Sequence, residues 1–394
     1  MKKVQSALLI LLFLWLAGCG GGGDNAPVIT PLSGSKAITA FSINDVDATI
    51  DEAAKTIAIT LPFGTNVTAL VATFTTTGAS VDIDGTVQES GVTANNFTAP
   101  VTYTVTAANS TTQEYTVTVM VASGDYTSPN IGTLKYVPAG SFQRDATPAN
   151  ISTITTAFRM SQYEITQAQY VAVTGAANPS HFTGFTLPVE RVTWFDAVEF
   201  CNDLSVLEGL TPVYTITGRT PGDGSHPITS ATVTANWSNN GYRLPTEMEW
   251  MWAAMGATSD RSNGYTGTGT NTTGYTKGYA GSTEAGGAQV NIGDYAWAWE
   301  NSSDGTKVVG TRLPNELGLY DMSGNVWERV WDWWDGIPYP AGLLSDYRGA
   351  ASGSNRVMRS GSWYGSASLA TVANRLYYYP DIQIYYLGFR VVRP

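Results

Sequence analysis

Between residues 37 and 122, successive runs alternate polar and apolar side chains, and that two-residue period fits extended strands with one buried face. Thr56-Ile57-Ala58-Ile59-Thr60-Leu61, Val101-Thr102-Tyr103-Thr104-Val105-Thr106 and Tyr115-Thr116-Val117-Thr118-Val119 carry it most clearly. β-Branched residues dominate, and Asp84-Gly85 and Asn95-Asn96 punctuate the runs as turn residues do. About seven short strands fit this stretch, the pattern of a small all-β sandwich. No constellation of acid, base and nucleophile falls within it, so a spacer role is expected.

The chain starts with Lys2 and Lys3, then an apolar run from Ala7 to Leu16. A helix needs about 20 apolar residues to span a bilayer, so this run reads as a signal h-region. Leu16-Ala17-Gly18-Cys19, with a glycine tract behind it, resembles a lipobox. That resemblance implies a signal peptide over 1–18 and a lipidated Cys19, with enough acyl chain for stable anchoring. Gly20 stands where an inner-membrane retention aspartate would sit, which points to the outer membrane, facing outward. Residues 19–36, rich in Gly, Pro, Ser and Asn, should form a flexible tether. The β-rich stretch 37–122 resembles the immunoglobulin-like or cadherin-like modules that follow such tethers, and 123–133 reads as a polar linker.

The net charge of −11 grows more negative once Lys2 and Lys3 are removed. Such a surface repels phosphate, so nucleic acid is not an expected partner and membrane contact is expected through the anchor alone. Cys19 and Cys201 are the two cysteines. With Cys19 lipidated, neither a disulfide nor a cysteine metal site can form within the chain. His181 and His226 cannot make a three-histidine site.

Residues 134–394 read differently. Thr166 should cap a helix to Thr174, and Trp194 to Leu207 a second, with Phe195, Val198 and Cys201 on one face. Thr246 and Glu249 form a capping box ahead of a helix over Met248 to Met255. The rest is rich in Gly, Asn and Thr, so its long loops need fixing by something other than regular ladders. A series of motifs runs through it: Tyr136-Val137-Pro138-Ala139-Gly140-Ser141-Phe142, Tyr163-Glu164-Ile165-Thr166, Val192-Thr193-Trp194-Phe195-Asp196-Ala197 and Gly241-Tyr242-Arg243-Leu244-Pro245-Thr246-Glu247. Asn315 to Glu328, Arg359-Ser360-Gly361-Ser362-Trp363 and Gly388-Phe389-Arg390 complete it. In order and content these resemble the formylglycine-generating enzyme, or sulfatase-modifying factor, family. The resemblance implies an α+β C-type-lectin-like fold, low in regular structure and often stiffened by calcium.

Active members of that family oxidise a sulfatase cysteine with copper held by a C-x4-C pair, since soft thiolates suit Cu(I). The matching positions here are Gly365 and Ala370, so no copper and no oxidase chemistry are expected, and Cys201 reads as a buried structural thiol. Another branch of the family forms carbon–sulfur bonds with histidine-bound iron on a helical domain; no such domain is read here. The resemblance also carries over two calcium sites. One falls at Asn291, Ile292, Asp304 and Thr306, with the Asn291–Asp304 spacing one residue shorter than the family's. The other falls at Asp321, Gly324, Val326 and Glu328. Their oxygen-rich chemistry suits a structural calcium.

Toward the C-terminus, framework residues alternate with unpatterned clusters. The framework includes Gly361-Ser362-Trp363, Ala367, Ala370, Val372 to Arg375, Pro380-Asp381 and Leu387 to Arg390. The clusters are Tyr364-Gly365-Ser366, Ser368-Leu369, Leu376-Tyr377-Tyr378-Tyr379, Ile382 and Ile384-Tyr385-Tyr386. This resembles the variable region of proteins diversified by a diversity-generating retroelement, in which AAC asparagine codons mutate at their adenines. Every clustered residue type is reachable from AAC in that way; Gln383 is not. Tyrosine offers large, rigid contact area at low entropic cost, as in a paratope. Three consecutive tyrosines cannot share one side of a strand, so at least one is expected to be exposed.

The expectation is therefore a surface-displayed, non-catalytic lipoprotein, a variable receptor or adhesin. Its ligand would be an extracellular protein or cell-surface molecule. An oxidase of exported proteins and a structural envelope lipoprotein are the alternatives.

Overall fold

A computed structural model describes residues 31–122, 124–257, 269–282, 292–336 and 339–394. The chain divides into two compact units at Ala122.

The first unit is an all-β sandwich. One sheet orders Val46–Asp47, Ile38–Ile43, Leu70–Thr76 and Ala94–Asn95. The other orders Thr49–Asp51, Thr56–Leu61, Thr112–Val121, Val101–Thr106, Ser80–Ile83 and Thr86–Val87. Thr56–Leu61 runs parallel to Thr112–Val121, with Thr56 opposite Thr116. The alternation does what its period dictates: Ile57, Ile59 and Leu61 point inward and their threonine neighbours face water. Ile38, Phe41, Tyr103, Val105, Tyr115 and Val117 close the core from the other strands. Each such aliphatic contributes roughly 1.5–3 kcal/mol by leaving water.

The second unit is the C-type-lectin-like domain. Its terminal segments share a sheet, ordered Tyr126–Ser128, Gly132–Val137, Phe158–Ser161 and Val392–Arg393. Residues 126–133, read from their polar composition as linker, are thus part of the fold. Glu208 satisfies them, its carboxylate accepting from Ser128, Asn130 (3.0 Å) and Tyr126 (3.2 Å). Among the described residues the three helices of two turns or more are α1 (Gln167–Thr174), α2 (Trp194–Leu207) and α3 (Glu247–Ala254). Thr166, Thr193 and Thr246 cap them, each in a complete capping box; such a cap contributes about 1 kcal/mol. Every residue of α3 is buried, one position earlier at each end than its periodicity suggests.

The loops are held by side chains. Trp194, Trp250 and Trp252 are buried, and their indole N–H groups donate to Val330 O (2.9 Å), Glu328 Oε2 (2.6 Å) and Pro138 O (2.8 Å). Asn315 donates to Ala253 O (2.7 Å) while its own carbonyl accepts from Leu317 and Leu319. These bonds satisfy backbone groups that a ladder would otherwise use. Among the described residues no helix is long and apolar enough to cross a membrane.

Candidate binding face

One sheet positions the C-terminal clusters. Its order is Leu376–Tyr378, Arg356–Arg359, Trp327–Trp333 and Leu387–Phe389. Beneath it, Trp327, Met358 and Leu387 form a small apolar floor. Leu369, Leu376, Tyr378, Ile382, Ile384 and Tyr386 pack on that floor, each half-buried. Tyr364 stacks flat on Tyr386, with centroids 5.3 Å apart and planes 1° apart, and meets Tyr385 edge-on at 5.7 Å. Three chain segments, 364–369, 376–378 and 382–386, thereby meet on one patch.

None of the thirteen clustered positions is buried. Tyr364, Ser366, Ser368, Tyr377 and Tyr379 are exposed; Gly365, Leu369, Leu376, Tyr378, Ile382, Ile384, Tyr385 and Tyr386 are half-buried. The framework is mostly the reverse: Trp363, Ala367, Ala370, Val372, Arg375 and Leu387 to Arg390 are buried, while Ala373 and Asp381 are exposed. Tyr377 departs from the patch. Strand alternation turns it away from Leu376 and Tyr378, and it packs on Trp334 at 4.6 Å. Ser366 and Ser368 bond each other at the rim (2.7 Å). Burial, then the neighbouring phenols, raises the Tyr386 pKa.

Residues outside the clusters complete the rim. Trp299, 57% exposed, meets Tyr364 edge-on at 6.3 Å, and its backbone N–H donates to Gly365 O (2.9 Å). Glu300 accepts from Ala367 N (3.0 Å). His181 lies 5.7 Å from Tyr385, and Phe182 packs edge-on against Trp363. No local pattern marks these residues, because their proximity arises from chain crossings of many tens of residues.

The second calcium set is gathered and buried. Asp321 Oδ2 accepts from Gly310 N (2.6 Å), and Glu328 Oε2 from Trp250 Nε1 (2.6 Å) and Arg390 Nε (2.7 Å). Asp321 Oδ1 and Glu328 Oε1 are buried without a hydrogen-bond donor. Glu164 lies nearby, accepting from Asn325 Nδ2 (2.6 Å) and Val326 N (3.0 Å). Its burial, then the neighbouring Asp321 and Glu328 charges, raise its pKa well above the carboxylate range. Two orphaned carboxylate oxygens in one buried site fit a hard cation. Among the described residues no three His, Cys, Asp or Glu side chains are grouped as ligands, so such a cation would also draw on backbone carbonyls, as at Gly324 and Val326.

Of the first set, three positions can be described. Asn291, like Cys19, lies outside the described residues. The Ile292 carbonyl accepts from Ala296 N (2.9 Å), and Asp304 is exposed in a turn at φ 54°. Thr306 is buried, with its hydroxyl unpartnered. Gly365 and Ala370 carry no sulfur, and Cys201 is buried in α2, where burial pushes its thiol pKa well up.

Fold and face together define a C-type-lectin-like domain with a tyrosine-rich exposed surface. Residues 104–394 match the family model for the sulfatase-modifying factor enzyme 1-like domain, and the chain belongs to that family. Residues 38–119 match the model described as SGBP, N-terminal. The chain is 37% identical over 245 residues to the chaperone protein LppX of Paenibacillus barcinonensis, covering 61% of this chain and 81% of that one. It is 32% identical over 190 residues to the formylglycine-generating enzyme of Streptomyces coelicolor, covering 44% and 54%. Among solved structures, Treponema denticola variable protein 1 superposes with a TM-score of 0.58 at 33% identity, covering 69% of this chain and all of that one. That likeness agrees with the resemblance of the C-terminus to a variable region.

Proposed function

We propose that this chain is an exported, non-catalytic binding protein, held to the cell envelope by lipid on Cys19, that presents the tyrosine face to an extracellular protein. The observation that carries the reading is the segregation of the C-terminus: the thirteen clustered positions reach solvent over a largely buried framework. An exposed aromatic surface of this kind marks interaction sites. The likeness to a variable protein supports the same reading. A retroelement would supply its diversity, with a reverse transcriptase gene and an asparagine-rich template copy beside this gene. A second reading is favoured by the LppX relative, which is named a chaperone: the face would then hold an exported protein of the same cell. The absent cysteine pair counts against an oxidase, and the exposed patch against a purely structural lipoprotein. The Asp321–Glu328 site would hold a structural calcium.

Two experiments test this. Tyr364→Ser with Tyr385→Ser should leave stability within about 1 kcal/mol, as surface changes do. The same pair should weaken capture of the bound protein at least tenfold, about 1.4 kcal/mol. Loss of several kcal/mol of stability would make these residues core and remove the binding reading. Separately, metabolic labelling with a palmitate analogue should tag the wild type and not Cys19→Ala; equal labelling of both removes the anchor.

A further inference from the structure

A cleft of about 460 Å³ lies beside the tyrosine face, walled by Trp194, Trp237, Trp331 and Trp333 with Arg348 and Arg356. The Arg356 guanidinium lies between Trp194 and Trp333, 3.6 and 3.4 Å from their ring centroids. Arg348 sits 4.2 Å over Trp237. Trp331 is itself fixed, stacked on Tyr214 at 5.2 Å and edge-on to Trp237 at 5.4 Å. Such stacking holds a guanidinium's plane while leaving its in-plane N–H fork free to donate.

The cleft carries charge, and the acid that acts on it, Asp332 near Arg356, is not in its lining. No carboxylate lines it, and among the described residues neither arginine forms an ion pair. Arg356 gives one N–H to Trp331 O, but its Nε is buried without a partner. Burial lowers its pKa to about 9, which leaves it cationic at neutral pH. In a chain of net charge −11, two guanidiniums lining one cleft without an ion-pair partner select an anion.

Register ties the cleft to the face. Arg356 lies opposite Tyr378 on one side and Trp333 on the other. Directly opposed residues have Cβ atoms about 5 Å apart on one face of the sheet, so Tyr378 stands beside the stem of Arg356. None of the six cleft residues falls in a variable cluster.

We propose that the cleft is a constant subsite for an acidic side chain, an Asp or Glu beside an apolar residue, on the protein that the tyrosine face holds. The carboxylate takes the guanidinium N–H groups and the apolar neighbour lies on the indole faces. The inference rests on the protein-ligand reading. It adds an anchor that stays fixed while the face varies.

The test uses the full chain and a fluorescein-labelled peptide, Gly-Leu-Glu-Phe-Glu-Leu-amide, with its Glu→Gln counterpart, read by anisotropy. The Glu peptide should bind saturably, the Gln peptide at least tenfold more weakly, and added salt should weaken the Glu peptide. Arg348→Ala should lose at least tenfold at unchanged melting temperature. Arg348→Gln, which keeps a stem on Trp237, serves the same purpose should the alanine variant melt early. Equal binding of the two peptides, or no effect of either Arg348 variant, overturns the proposal. So does displacement by oligogalacturonate at lower concentration than by unlabelled Glu peptide, which would make the occupant an acidic sugar. If the peptide fails while Tyr364→Ser with Tyr385→Ser still abolishes protein capture, the subsite falls and the binding function stands.

Discussion

Replacing Glu247 with alanine is expected to cost the second unit about 3–5 kcal/mol, the range for a buried ion pair that loses one partner. Glu247 opens α3, and its carboxylate is almost fully enclosed. Oε1 accepts from Arg359 Nη1 (3.0 Å) and Arg375 Nε (2.8 Å), and Oε2 from Arg375 Nη2 (2.6 Å). Removing it strands the buried Arg359 and leaves Arg375 with Asp335 alone (3.1 Å). In a domain of this size each kcal/mol moves the melting temperature by about 2–4 °C, so a drop of roughly 10 °C should appear in a thermal scan. Glu247→Gln keeps the shape and one acceptor but not the charge, and should fall between the two. Arg359 precedes the Trp363–Tyr364 turn and Arg375 immediately precedes Leu376. The carboxylate therefore ties down both approaches to the tyrosine face, and the variant should also lose protein capture. Unchanged melting would mean the two arginines reach water or another anion once Glu247 is gone.

Chelation is expected to have the next largest effect. A ligand that binds the folded state alone, at 100 times its Kd, adds about 2.7 kcal/mol. With calcium at Asp321 and Glu328, a chelator should remove that amount and lower the melting temperature by several degrees. Asp321→Ala should abolish the response to chelator, because it deletes the orphaned Oδ1 while sparing the Glu328–Arg390 pair (2.7 Å). Elemental analysis of the purified chain checks the stoichiometry directly. A melting curve indifferent to chelator, from protein that carries no calcium, would leave Asp321 and Glu328 as plain buried acids.

Much of this molecule is legible in its sequence. The period-2 runs at Thr56–Leu61 and Val101–Thr106 became strands with the expected face inward, and Thr166 and Thr246 became helix caps. These are short-range facts, decided by alternation and by a hydroxyl three residues from an N–H. The split between framework and clusters could be read because it is written residue by residue along 361–390. Tyr377 shows where that reading ends: it shares its neighbours' composition, but strand geometry turns it onto Trp334. Ser128 and Asn130 looked like linker until Glu208 arrived from far along the chain to satisfy them. The same holds for Trp299 against Tyr364, for Glu164 beside Asp321 and Glu328, and for Arg356 between Trp194 and Trp333. A loop-rich fold puts its polar bonds and ion pairs between distant segments, and those pairings have no period. Local periodicity therefore revealed the elements and their outward faces, while the partners of buried charge emerged when the chain closed on itself.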